Sequence, residues 1–239
     1  MTIPAVKLSA PAGGMSLFIN GFLVVGPTDV GNIGQSVAMY MTQGENVFDL
    51  VPSRPDAMAK FQLMDVQDPE AEERPVMLSN LAPNPQLPGQ SWRGVWHSDQ
   101  GVARPPWADA LRITDWSSQK AAIYASLAKL RELLERGPDA ELLDMLSLKH
   151  QSIADALGLS KAEMDQGLTD GLAERRSGAG LRVDLVDFQQ FVVVPSPDGA
   201  IANARDLAGR DALHILDGRA NAGFTVSLAL LDSQWKVLR

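Results

Sequence analysis

The apolar pattern of this chain changes period near Trp116. Before that point, short runs such as Leu17-Phe18-Ile19, Phe22-Leu23-Val24-Val25 and Val47-Phe48-Asp49-Leu50-Val51 are broken by Pro, Gly and Asn. After it, three helix-like segments precede strand-like runs that end in Trp235-Lys236-Val237-Leu238-Arg239. Side chains share a face every two residues in a strand and about every 3.6 residues in a helix, so one element cannot span the switch. Helices grouped together, with strands grouped elsewhere, imply an α+β architecture rather than alternating α/β units. With 239 residues the chain suits two domains. The expected division is a flexible N-terminal segment at 1–14, a β-rich domain at 15–116 and an α+β domain at 117–239.

In the first half, Asn20-Gly21 lies between two apolar runs, the local signal for a hairpin whose turn needs positive φ at both residues. Val37–Met41 and Val47–Val51 read as strands around Thr42-Gln43-Gly44-Glu45-Asn46, and Met58 to Val66 alternates imperfectly. Short strands at this spacing predict an antiparallel sandwich. The wording Phe18-Ile19-Asn20-Gly21 … Gly44-Glu45-Asn46-Val47-Phe48-Asp49-Leu50 resembles a phrase of jelly-roll and related β-sandwich modules. That resemblance implies the sandwich, not a ligand.

Residues 67–75 form an acidic, proline-bounded loop whose spacing matches no calcium loop, and a solvated loop is the simpler reading. Residues 80–89 carry prolines that exclude a helix. Trp92, Trp96 and Trp107 follow, with Arg93, His97 and Arg104 between them. Such rings and charges suit a recognition surface for a ring-shaped ligand or a protein hot spot. The competing reading is that the rings fill the join between the two halves. Candidate binding residues are therefore Trp92, Arg93, Trp96, His97 and Trp107.

In the second half, Ile123, Leu127, Leu130 and Leu134 recur at helical spacing after Ser117, a suitable N-cap, and Gly137-Pro138 ends the helix with an expected left-handed glycine. A second helix runs from about Asp139 toward Leu157, and a third opens on the capping box Ser160-Lys161-Ala162-Glu163. Alternation then returns at Leu181–Val186, Phe191–Val194, Ile201–Leu207, Ala212–Leu216 and Phe224–Leu231. Short connections between these runs favour antiparallel neighbours. Three helices followed by such strands resemble the NTF2-like, cystatin-related α+β cone, in which a curved sheet wraps around the first helix. The resemblance implies a pocket inside the cone, where Tyr124, Asp144, Asp187 and His214 are the polar candidates.

The inventory excludes several chemistries. There is no cysteine, hence no thiol nucleophile, thiolate metal site or disulfide. The three histidines, at 97, 150 and 214, form no HExxH pair, and no GxSxG elbow or Walker loop is present. His150 near a helix end is read as a capping residue. No cofactor and no metal are expected. The net charge of −8 is shared by both halves, with 7 Lys/Arg against 12 Asp/Glu to Trp116 and 14 against 17 after it, which argues against nucleic acid. No apolar run reaches the roughly 18–20 residues of a membrane span. The N-terminus lacks the basic and apolar regions of a signal peptide, while Ser9–Gly14 suits a tether left after export, so cytoplasm and periplasm both stay open. The leading functional reading is a non-catalytic bacterial interaction protein, of periplasmic accessory or immunity type, with a protein partner. The alternatives are an NTF2-like enzyme or small-ligand carrier, and a carbohydrate-binding module in the first half.

Overall fold

The computed structural model describes residues 4–11, 13–29, 32–65, 77–81, 90–99, 105, 107–177, 181–216 and 221–239. The acidic loop at 67–75, residues 82–89 of the proline-rich run, Arg104, Gly178, Gly180 and the Asp217-Gly218 turn lie outside them. By internal contacts the chain divides into two units, Met1–Arg104 and Pro105–Arg239.

In the first unit, β1 (Pro4–Ser9), β4 (Asn32–Ser36), β6 (Ala59–Asp65) and β7 (Met77–Leu81) form an antiparallel sheet in the order β4-β1-β6-β7. A second antiparallel sheet, ordered β3-β2-β5-β8, is built from β2 (Met15–Ile19), β3 (Phe22–Val25), β5 (Gly44–Pro52) and β8 (Trp92–Ser98). Residues 4–9, expected as flexible chain, are thus an interior strand. Val6 and Leu8 are buried while Lys7 and Ser9 are exposed, a period of two that the neighbouring Pro and Ala residues disguise. Val6, Leu8, Phe61 and Leu63 of one sheet share a core with Leu17, Ile19, Phe48 and Leu50 of the other, and the Phe48 and Phe61 rings lie 5.6 Å apart. Two antiparallel sheets closed on one apolar layer make a sandwich.

The β2–β3 hairpin turns at Asn20 and Gly21, with φ of 50° and 85°, as its Asn-Gly signal requires. Residues 37–41 depart from the expected strand. They form a single 3-10 turn, Ala38–Tyr40, because the core takes only its two ends, Val37 and Met41. Two asparagines hold this corner. Asn20 Nδ2 donates to Asn46 Oδ1 and to the Tyr40 carbonyl, each at 2.8 Å, while the Val47 N–H donates to Asn20 Oδ1 at 2.9 Å. Asn46, fully buried, also accepts from the Thr42 N–H at 2.7 Å and donates to the Thr42 and Gly44 carbonyls at 2.8 and 3.1 Å.

The second unit begins with an extended run whose Leu111 and Ile113 amides donate to the Leu230 and Gly199 carbonyls. Helix α1 (Trp116–Arg136) is capped by Asp115 rather than Ser117: the Asp115 carboxylate accepts from the Ser118 N–H at 3.3 Å, and Ser117 Oγ donates to the same carboxylate. Gly137 ends α1 with φ of −69°, not in the left-handed region. It is glycine for space, since a Cβ there would stand 2.6 Å from Leu133 Cα. The expected second helix is two, α2 (Asp139–Met145) and α3 (Ser147–Leu157), parted at buried Leu146. Gly158, at φ of 69°, closes α3. Helix α4 (Lys161–Ser177) opens on the reciprocal Ser160–Glu163 box, with bonds of 2.7 and 3.2 Å.

The strands of this unit make two antiparallel sheets where one curved sheet was expected. One, ordered β13-β12-β9, contains β9 (Arg182–Leu185), β12 (Leu213–Leu216) and β13 (Asn221–Phe224). The other, ordered β10-β11-β14-β15, contains β10 (Phe191–Pro195), β11 (Ile201–Asp206), β14 (Ser227–Leu231) and β15 (Gln234–Val237). The apolar run Phe224–Leu231 supplies one strand to each, because it breaks at Thr225-Val226, where the Val226 carbonyl accepts from the Ala204 N–H. Ile123, Leu127, Leu130 and Leu134 of α1 are fully buried in one cluster with Leu142, Val183, Phe191, Leu213, Leu228 and Val237. No described helix is long and apolar enough to cross a membrane.

Replacing Asn46 by Ala strands several buried polar groups at the corner of the sandwich, a loss of about 1–3 kcal/mol for each group left unpaired. Urea unfolding of Asn46→Ala should show a lower midpoint than wild type at an unchanged slope.

Candidate functional site

The five candidate binding residues do not form one surface. On β8, Trp92, Gly94 and Trp96 point to one side, and Arg93, Val95 and His97 to the other. Trp92 and Trp96 pack on the sandwich core, with the Trp92 ring 5.6 Å from Phe61. The Trp92 ring folds over Gly94 so closely that a Cβ at Gly94 would stand 2.2 Å from it. An indole covering the glycine two residues on is how an edge strand recovers the packing that glycine lacks. Trp107 belongs to the second unit and is buried, with the Arg239 guanidinium 5.6 Å from its ring. Trp107 is thus buried, while Trp92 and Trp96 are half-buried. The outward row is polar: Arg93 donates to both oxygens of buried Asp49 at 2.7 and 3.0 Å, Val95 is 47% exposed, and His97 is exposed.

Of the candidates for a pocket in the second unit, the structure brings Asp187 and His214 together and separates the rest. Tyr124 lies behind their site as support, donating to the Val186 carbonyl at 2.9 Å and meeting Phe188 edge-on. Asp144 lines a different groove, between α1, α2 and β15. The cavity holding Asp187 and His214 measures about 440 Å³. It is not inside the unit. Leu213 faces the core, so its neighbour His214 faces away, on a row with Asp184 of β9 and Gly223 of β13. The interior that the cone analogy reserved for these groups is occupied by the aliphatic side chains around α1.

Charge in this cavity is largely committed. Arg182 pairs with Asp184 and Arg210 with Asp206, each at 2.7 Å, and Arg205 pairs with Asp211. The dipeptides Arg205-Asp206 and Arg210-Asp211 flank a turn at Gly209, with φ of 81°, and their charges cross-pair over it. Gly223 makes the room, since a Cβ there would meet the Asp211 carboxylate at 2.3 Å. Partial burial opposes ionisation of Asp206, yet the backbone N–H and guanidinium of Arg210 outweigh it and hold the carboxyl below its ordinary range. Behind this lies Lys149 of α3, its ammonium 4.1 Å from the Phe224 ring centroid. Burial, seconded by the charge of Arg239 and opposed by Asp211, brings its pKa down to about 8.

Comparison with protein-family models, with curated proteins and with solved structures found no match. Chemistry must therefore be argued from the groups in place. Among the described residues, no serine, threonine or cysteine lines the cavity beside His214. Among the described residues no three acidic or imidazole groups are placed to share a metal ion. His150, read as a capping residue, is instead a buried clip, its Nδ1 at 2.6 Å from Asp165, which also accepts from Lys161 at 2.6 Å. The arrangement can hold a polar ligand against Asp187 and His214, which make no ion pair among the described residues.

The sequence reading missed the crossed Arg–Asp pairs, the role of Gly223 and the buried Lys149. Only the doubled Arg-Asp dipeptide left a visible trace. At Gly223→Val the new side chain must displace Asp211 from Arg205, costing about 1–3 kcal/mol as an overpacked site, readable as a lowered urea midpoint. For Asp165, desolvation raises the pKa, but the bonds from Lys161 and His150 win and lower it. With Asp165 and Asp206 both below their value in unfolded chain, the unfolded state binds more protons at acid pH. Their stabilisation is full above the ordinary carboxylate pKa of 3.8 and is lost as pH falls through the depressed folded values. Thermal midpoints taken from pH 6 down to about 2 should fall, and less steeply for Asp206→Asn.

Proposed function

We propose that this is a non-catalytic binding protein that engages a protein partner through the outward row of β8, formed by Arg93, Val95 and His97. The observation that carries the reading is the 47% exposure of Val95 on an edge strand, while both flanking tryptophans are turned into the core. An exposed aliphatic residue between charged or titratable neighbours is the composition of an interface centre with a polar rim. The bidentate bond to Asp49 fixes Arg93 in place before any partner arrives, which reduces the ordering cost of binding.

One observation favours a second reading, a small polar ligand in the 440 Å³ cavity, because the side chains of Asp187 and His214 share it and make no ion pair among the described residues. The experiment that separates the two is quantitative affinity capture from the source organism with the wild-type chain, Val95→Asp and His214→Ala. A partner lost with Val95→Asp alone supports the β8 surface. An unchanged protein list with Val95→Asp contradicts it.

A further inference from the structure

The last strand, β15, sits at the edge of its sheet, and among the described residues nothing pairs with its far side. Antiparallel partners alternate between pairs that exchange backbone hydrogen bonds and pairs whose amides point away from each other. Leu231 and Gln234 close the two-residue turn at Asp232-Ser233, both at positive φ, so the next pair, Leu230 with Trp235, is of the second kind. Leu230 confirms this, because its carbonyl accepts from the Leu111 N–H at 3.0 Å, away from β15. The Trp235 N–H and C=O therefore point off the sheet edge. Val237, the next residue of this kind, is fully buried, so the open edge is short and centred on Trp235.

That edge forms one wall of an open groove of about 740 Å³. Gln234, Trp235 and Lys236 all line it. Consecutive strand side chains face opposite ways, so three in a row reach one groove only along the strand edge. Ala125 of α1 and Ala140 of α2, both exposed, line the groove together with Met145 and Trp235. Its charges are of both signs. Asp144 and Lys236 make no ion pair among the described residues, while Lys129 and Glu141 meet only at 3.8 Å with both side chains about 60% exposed.

We propose that this groove receives an extended segment of another protein, which adds a short strand to β15. The segment exchanges two backbone hydrogen bonds with Trp235 and seats one apolar side chain over Ala125 and Ala140. It carries an acidic residue toward Lys236 and a basic one toward Asp144. Backbone pairing supplies affinity in this mode, and the side-chain seat and flanking charges supply selectivity. The proposal stands apart from the β8 surface, which lies in the other unit.

The test pans a phage-displayed library of random heptapeptides against the full chain and follows a synthetic representative by ¹H–¹⁵N NMR. The expected peptides place an apolar residue between an acidic and a basic one. Their binding should shift the Trp235, Lys236 and Ala125 resonances and slow exchange of the Trp235 amide. N-methylation of the central peptide amide, and separately Ala140→Trp on the exposed face of α2, should each weaken binding by about tenfold or more. Val95→Asp should leave it unchanged, so failure at β8 and failure here are told apart. The proposal is overturned if no sequence is enriched, if the peptides map to β8 or to His214, or if N-methylation has no effect. It is also overturned if the chain dimerises without peptide and Ala140→Trp abolishes the dimer, which would give the groove to a second copy.

Discussion

The second unit depends on one helix filling its interior. Ile123, Leu127, Leu130 and Leu134 of α1 are fully buried against side chains from both sheets and from α2. Each such side chain contributes about 1.5–3 kcal/mol by leaving water, and together they take the space that a ligand inside the unit would need. Polar groups that accompany this core must face outward or be satisfied in place. Arg176 of α4 shows the second solution: its guanidinium donates to the Leu133 and Leu134 carbonyls at 2.7 and 3.0 Å and to Asp139 at 2.7 Å, closing the end of α1. His150 and Asp165 likewise tie α3 to α4.

The consequence for function is a displacement of chemistry from the inside of the fold to its outer faces and edges. His214 and Asp187 share a cavity on the side of their sheet turned away from α1. Asp144 and Trp235 meet at a groove beside an edge strand. The first unit shows the same division on β8, where the indoles go to the core and Arg93, Val95 and His97 stay outside.

The α+β class and most elements were legible because they rest on local signals. Asn20-Gly21 specifies its turn by backbone conformation, the leucine spacing of α1 specifies its buried face, and Ser160 with Glu163 specifies the start of α4. What was illegible depends on distant partners. Asn20 and Asn46 each signal a turn, but nothing local says that they bond to each other across 26 positions. Phe224–Leu231 alternates as one strand would, and its division between two sheets follows from where Ala204 and β12 lie. Alternation along β8 puts Trp92 and Trp96 on one face, but only the packing of the sandwich makes that face the inner one. For His214 the cone analogy placed the site on the wrong side of the sheet, since alternation alone does not say which face α1 will cover.

The outward placement of the polar groups depends on a filled interior around α1. Xenon enters dry apolar cavities that are large enough to hold it, and ¹³C-labelled leucine methyls report where it binds. With xenon pressure raised over the full chain, the methyls of Leu127, Leu130 and Leu213 should show only the small linear drift of solvent exposure to the gas. Saturable shifts confined to those methyls would reveal an open chamber beneath the sheets and contradict the account.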